Sequence, residues 1–284
     1  MPDTITTIGD TVVQQGRYND RIYVMKLAKK DIPWIIDKLK EIAAENGYSK
    51  IFIKAPDTGL TEFLRKGYMI EAFVPRFFYG KEDGYFLARY LQDNRRKEPR
   101  SHQIQNVLLK AMVKAGLHRS TKLQPGLSFH VATKDDAGEL ANLYKMVFDT
   151  YPFPIFDEAY LKTAMQENVK YFYVRCKDNI IAASSAEMDL EMENVEMTDF
   201  ATHPDHRGKK LSGYLLRKME EDMLKEGMKI SYTIARAISY PINGVFSQAG
   251  YFYGGTLLNN TNICGSFESM NVWHKPLKPD SIRA

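Results

Sequence analysis

The residues best suited to chemistry lie between Glu196 and Gly213, in the stretch Glu196-Met197-Thr198-Asp199-Phe200-Ala201-Thr202-His203-Pro204-Asp205-His206-Arg207-Gly208-Lys209-Lys210-Leu211-Ser212-Gly213. Leu211, Leu215, Met219 and Met223 then recur at helical spacing, so a helix begins at the end of this stretch. A helix N-terminus presents unpaired N–H groups and partial positive charge. Arg207, Lys209 and Lys210 add full charges, and Gly208 lets backbone approach a ligand closely. That combination suits a phosphate; a basic first turn with no ligand is the alternative. Upstream, Glu196 and Asp199 lie on a strand three residues apart, a spacing that predicts opposite faces. Glu196 is expected to share its face with Thr198 and Phe200. His203 and His206 are three apart with no third ligand nearby in sequence, so no metal site is expected. Patterns of the GxSxG, Walker and GxGxxG kinds are missing, which leaves hydrolase, NTPase and dehydrogenase readings unsupported.

The elements that must hold these residues follow from periodicity and Gly/Pro punctuation. The second half of the chain reads as β-α-α-β-β-β-α-β-α-β-β from Ser128 to Trp273, a mixed sheet flanked by helices. The first half reads as strands at 11–13, 21–27, 50–55, 69–78 and 85–90, with helices at 31–46 and 58–66. A repeat links the halves. Residues 47–55 parallel 227–235 at an offset of 180, and 63–68 parallel 246–251 at an offset of 183; each time a helix ends at Gly, a strand follows, and a short helix ends in Gly-Tyr. The expected organisation is a smaller α/β domain over 1–92 resembling a half-copy, a linker and amphipathic helix over 93–127, and the complete α/β unit over 128–284.

Composition sets the outer bounds. With 284 residues, 12% aromatics and a net charge of +4, the chain can bury a core and is not expected to be disordered. It has no uncharged apolar run near the ~18 residues of a membrane helix, and Met1–Asp10 lacks a basic and apolar leader pattern, so a cytoplasmic protein is expected. Cys176 and Cys264 form neither a zinc spacing nor a disulfide framework. Arg95-Arg96-Lys97 reads as a solvated linker rather than a nucleic-acid site.

The loop and strand end resemble motif A of the GCN5-related N-acetyltransferases (GNATs). Ala201-Thr202-His203-Pro204 stands at the strand end and Arg207-Gly208-Lys209-Lys210-Leu211-Ser212 at the loop, with Lys210 in place of the usual middle Gly and Ser212 in place of the final Gly/Ala. Gly250-Tyr251 stands where that family has Gly-Phe. Residues 14–23, 77–85 and 268–273 are similar to the beta-lysine N-acetyltransferases within it. The resemblance implies a GNAT fold, acetyl-CoA as donor, the ε-amine of L-β-lysine as acceptor, and N6-acetyl-β-lysine, a compatible solute, as product, by direct attack of the amine on the thioester. It implies backbone pairing of pantetheine with Phe200, Ala201 and Thr202, phosphates at Arg207 to Gly213, and further donor contacts from Ser239 and Asn243. Glu196 is the expected base and Asp199 the second choice. The family's tyrosine acid falls here on Phe246, which cannot donate; Tyr240 and Tyr232 are the substitutes. Arg236, Arg175, Glu187, Asp189 and Arg76 are candidates for holding the acceptor, and Tyr151, Phe153 and Phe156 for a lid. Acetylation of another amine (a polyamine or a protein lysine), or a non-catalytic CoA-binding module, stays open, as does a homodimer. No nucleic-acid or membrane partner is expected.

Overall fold

The computed structural model describes residues 3–117 and 122–278. The strands and helices run β1 (Thr4–Ile8), β2 (Thr11–Gly16), β3 (Arg21–Lys26), α1 (Trp34–Asn46), β4 (Lys50–Pro56), α2 (Asp57–Arg65), β5 (Met69–Phe78), β6 (Glu82–Tyr90), α3 (Asp93–Arg96), α4 (Ser101–Met112), β7 (Leu127–Val131), α5 (Ala137–Val147), α6 (Glu158–Ala164), β8 (Val169–Cys176), β9 (Asn179–Asp189), β10 (Asn194–Thr202), α7 (Leu211–Lys225), β11 (Ile230–Arg236), α8 (Tyr240–Gln248), β12 (Phe252–Ile263) and β13 (Ser266–Pro276). Among the described residues, thirteen strands form one mixed sheet in the order β1-β2-β3-β4-β6-β5-β12-β13-β11-β10-β9-β8-β7.

Amphipathic helices cover this sheet. In α1, Ile35, Ile36, Leu39 and Ala43 are buried, and Gly47 ends the helix at φ 64°. In α7, Leu211, Leu215, Leu216, Met219 and Met223 form the buried stripe. Two details depart from expectation. The helix expected from residue 31 begins at Trp34; the Asp31 carboxylate accepts from the Asp10 N–H at 3.0 Å and the Thr11 hydroxyl at 2.7 Å, tying the helix entry to β2. Arg95 is not solvated. It is buried, donates to the Asn259 and Asn19 carbonyls at 2.9 and 2.7 Å, and lies over the Phe267 ring. The segment after β6 therefore clamps the β12–β13 hairpin.

The strand order repeats. The run β2-β3-β4-β6-β5 has the same sequence of pairings as β9-β10-β11-β13-β12: antiparallel, parallel, antiparallel, antiparallel. Helices α1 and α7 occupy matching crossovers, and so do α2 and α8. The two runs meet at their last strands, where β5 and β12 pair antiparallel through Ala72 and Gly255. The chain thus carries a pseudo-twofold axis at that seam.

The sheet curls strongly about the seam. From β4 to β11 there are five interstrand steps, about 24 Å in a flat sheet at ~4.8 Å each. Yet Lys54 Nζ on β4 lies 3.0 Å from the Tyr232 hydroxyl on β11. An aromatic core inside the curl holds it: Phe77 packs edge-on against Tyr232 at 5.0 Å and against Phe86 at 5.5 Å, and Tyr23 meets Phe52 at 5.0 Å. Each such ring, once buried, contributes about 1.5–3 kcal/mol. The tip of the β5–β6 hairpin closes the curl, with Tyr79 N–H bonded to the Met192 carbonyl at 2.8 Å and Asn194 Nδ2 to the Phe77 carbonyl at 3.3 Å.

Candidate active site

The centre of the site is a bulge in β10. Glu196 pairs opposite Glu187 and Thr198 opposite Ser185, but the next pair is Ala201 opposite Ala183. Asp199 and Phe200 therefore stand against one residue of β9, and Asp199 adopts φ 56°. The extra residue changes the faces. Asp199 turns to the side of Glu196 and Glu187, where Ser185 Oγ donates to it at 2.6 Å and the Tyr151 hydroxyl donates to its other oxygen. Phe200 turns to the opposite side and packs on Phe246 at 5.5 Å. Both findings correct the alternation expected from spacing, which put Glu196 and Asp199 on opposite faces and Phe200 beside Glu196.

Three carboxyls thus share one concave face. Burial raises the Glu196 carboxyl above its ordinary pKa, against the pull of Lys54 and a hydrogen bond from Tyr232. Asp199 is raised by burial against the bonds from Ser185 and Tyr151. Glu187 keeps an exposed side chain, but the protein around it and the neighbouring Glu196 and Asp199 charges push its carboxyl well up. Like charges in a poorly solvated recess disfavour ionisation, and a bound cation would relieve that repulsion. The face is also rich in phenols. Tyr144, Tyr151, Tyr160 and Tyr171 all have raised pKa values, caused first by burial and next by a nearby carboxylate, so they stay neutral donors.

Beside this face the sheet opens. The parallel ladder between β10 and β11 runs from Asn194–Ile230 to Glu196–Tyr232 and ends there, so β10 beyond Glu196 has lost its β11 partner. The gap leads to α7. Gly208 and Lys210 have φ 79° and 60°. Lys210 takes the left-handed conformation where the family pattern has Gly, which keeps the turn despite the substitution. α7 has no side-chain cap and no acid in its first turn, and Arg207, Lys209 and Lys210 are exposed around it. Ser212 Oγ lies 3.5 Å from Thr202 Oγ1. Ala201 is buried and faces away from α7 with Ala183, and Gly213 is half-buried in the first turn.

The other expected residues scatter. Tyr232 belongs to the acidic face, whereas Tyr240 starts α8 in a groove against α4, with Lys114 Nζ 5.5 Å from its ring. Ser239 is half-buried just ahead of it. Arg175 sits on β8 with Glu139 at 3.1 Å, and Arg236 forms a two-pronged pair with Glu268 at 2.7 and 2.8 Å. Arg76 is exposed on the β5–β6 hairpin. Asp189 accepts from Met192 N–H at 3.2 Å and lies 3.7 Å from Lys26. Asn243 is wholly buried: its Nδ2 donates to the Arg236 and Ser239 carbonyls, and its Oδ1 accepts from Asn271 Nδ2 and Trp273 Nε1, all at 2.8–2.9 Å. That geometry makes Asn243 a brace between α8 and β13. Asn243→Ala should cost about 2–3 kcal/mol, since it strands buried partners, and lower Tm with little change in donor KM. A raised donor KM at unchanged Tm would return Asn243 to the donor site.

Sequence reasoning missed Lys54 and Tyr23, which come from the first half. Lys54 Nζ sits 5.5 Å from the ring centres of both Tyr23 and Tyr232. The available signal was a lysine inside the otherwise apolar strand Ile51-Phe52-Ile53-Lys54-Ala55. Among the described residues, no grouping of His, Cys, Asp and Glu could hold a metal ion, and no helix is long and apolar enough to cross a membrane.

A bulged strand that loses its neighbour and leads to an uncapped basic helix start offers a place for an anionic ligand, and comparison with known proteins gives the class. Residues 139–243 match the Acetyltransferase (GNAT) family. The chain belongs to that family and is an acetyl-CoA-dependent N-acetyltransferase. It is similar to a beta-lysine N(6)-acetyltransferase of Methanococcus maripaludis, 40% identical over 96% of this chain and 98% of the relative. It is also similar to the N-acetyltransferase YodP of Bacillus subtilis, 31% identical over 94% and 96%. A beta-lysine N(6)-acetyltransferase of Methanosarcina mazei is 33% identical over 86% of this chain and 97% of the relative.

Proposed function

We propose that this enzyme transfers the acetyl group of acetyl-CoA to the ε-amine of L-β-lysine, giving N6-acetyl-L-β-lysine. The observation that carries the reading is the concave face with Glu187, Glu196 and Asp199 beside the opening in β10, a place for a small cation of more than one charge. The two full-length relatives named for beta-lysine support the same acceptor. The donor would run along Phe200 to Thr202, with its phosphates at the Arg207–Gly213 turn.

The acceptor arrives as an ammonium with pKa ~10.4 and must lose a proton before it can attack. Glu196, directly or through one water, takes that proton. The amine nitrogen then bonds to the thioester carbon and the C–S bond breaks. The thiolate recovers a proton through the hydroxyl that Tyr232 shares with Glu196, and the second ammonium proton leaves to solvent. Acetylation converts a cation of net charge +1 into a zwitterion of net charge zero. Such a product can accumulate without a counter-ion, which suits a cytoplasmic compatible solute.

The test is release of CoA thiol with β-lysine, α-lysine and spermidine as separate acceptors. A kcat/KM for β-lysine at least about tenfold above both others is expected. Equal rates with α-lysine, or a preference for spermidine, would remove the β-lysine assignment and leave an acetyltransferase of another amine. Acetyl-CoA binding with no turnover on any amine would instead indicate a CoA-binding module.

A further inference from the structure

The first-half repeat supplies a charge that the acceptor needs. The acceptor proposed above has a carboxylate at one end, an ammonium two carbons on, and the reacting amine at the far end. Of the arginines expected to hold that carboxylate, Arg175 and Arg236 are in ion pairs with Glu139 and Glu268, and Arg76 is exposed on its hairpin. Lys54 is half-buried; its ammonium donates to the Tyr232 phenol at 3.0 Å and bonds the Tyr23 phenol, and the carboxylate that acts on it is Glu196. Its neighbours Lys26 and Lys29 are already paired, with Asp189 at 3.7 Å and Glu82 at 2.7 Å.

Lys54 also lines a recess of about 40 Å³ shared with Lys26, Lys29, Asp189 and Asn194. One water needs ~10–15 Å³ on this measure, so the recess admits a group of two or three polar atoms. Its position along β10 orders the charges. The recess adjoins Asn194, the carboxyls lie at Glu196 and Glu187, and the strand opens beyond Glu196. At ~3.3 Å per residue, Asn194 to Thr198 spans about 13 Å, enough for an extended six-carbon diamino acid laid along the strand.

We infer that Lys54, with the Tyr23 hydroxyl beside it, is the subsite for the acceptor's carboxylate, so that the half-copy sets acceptor specificity. This rests on the reading of the acceptor as a small diamino acid. A carboxylate there faces an ammonium and a phenolic donor, while Glu187 faces the neighbouring ammonium of the same molecule; a charge-assisted hydrogen bond in such a place discriminates strongly.

The experiment compares β-lysine with 1,4-diaminopentane, which keeps both amines at the same separation and lacks the carboxylate. The wild-type enzyme should prefer β-lysine in kcat/KM by about 30- to 100-fold, carried mostly by KM. In Lys54→Met, of similar length and uncharged, the ratio should collapse to within about threefold of one, and Lys54→Arg should restore part of it. An unchanged ratio in Lys54→Met would overturn the proposal. So would equal use of the two acceptors by the wild-type enzyme, a result that needs no variant to fold. Wild-type transfer to neither compound, with transfer to some other amine, would overturn the acceptor reading and this subsite together; failure of the Lys54 variants alone leaves that reading standing.

Discussion

Glu196→Gln is expected to lower kcat with β-lysine by about 10²- to 10³-fold, within the range that one positioned acid–base group contributes, while the KM for acetyl-CoA moves little. The amide keeps the shape of the side chain and can still accept from Tyr232, but it cannot take a proton. The variant has a second signature in stability. In the wild-type protein burial raises the Glu196 pKa above its unfolded value of about 4.3. Between those two values the native state binds more protons than the unfolded chain, so stability falls as pH rises through that window; above the folded value the penalty is constant. Glutamine carries no such penalty. Tm of Glu196→Gln should therefore exceed wild type at pH 7–8, and the gap should close as pH falls below 4. Unchanged kcat at every pH would remove Glu196 as the base and pass the role to Asp199. A Tm gap that widens in acid would contradict the raised pKa.

The second large effect is expected at the seam. Gly255 has φ 148°, and a Cβ there would lie 2.1 Å from the Glu71 carbonyl oxygen and 2.6 Å from Ala72 Cα. Both obstacles are backbone, so they cannot swing aside. Gly255→Ala combines a strained backbone with overpacking and should cost about 3 kcal/mol, a Tm loss of roughly 6–12 °C for a chain of this size. Function should suffer unequally. The turn at Arg207–Gly213, proposed for the donor, lies within one half, whereas the proposed acceptor face draws Lys54 and Tyr23 from the other. Surviving protein should show a raised KM for β-lysine with a nearly normal KM for acetyl-CoA. Equal weakening of both, or an unaltered Tm, would mean that the seam does not hold the acceptor face together.

These two cases show what a sequence carries locally and what it does not. The basic turn and helix start were legible because Gly208, the basic residues and the helical stripe from Leu211 are neighbours in the chain. The repeated strand order left a trace in the sequence because Gly-terminated helices punctuate both halves at nearly the same intervals. The faces of Glu196, Asp199 and Phe200 were misread because a period of two holds for a regular strand, and one inserted residue reverses everything after it. Nothing in Met197-Thr198-Asp199-Phe200 announces a bulge, although Asp tolerates the left-handed conformation better than most residues. Lys54 was missed for another reason. It lies 142 positions before Glu196, and its approach to the acidic face depends on a sheet curled through five interstrand steps. Asn243 looked like a ligand because an amide early in a helix is a common donor, but the partners that occupy it, Trp273 and Asn271, come from a strand formed later in the chain.

The seam also bears on which edges the sheet leaves open. β5 and β12, of 10 and 12 residues, are the outermost long strands of the two repeated runs. In a separated half each would be an open template for pairing with another chain. Here they meet at Ala72 and Gly255, and the sheet ends instead on β1 and β7, each 5 residues long and poor in buried side chains. The repeated order of strands thus puts two long borders in the interior and leaves short ones at the outside.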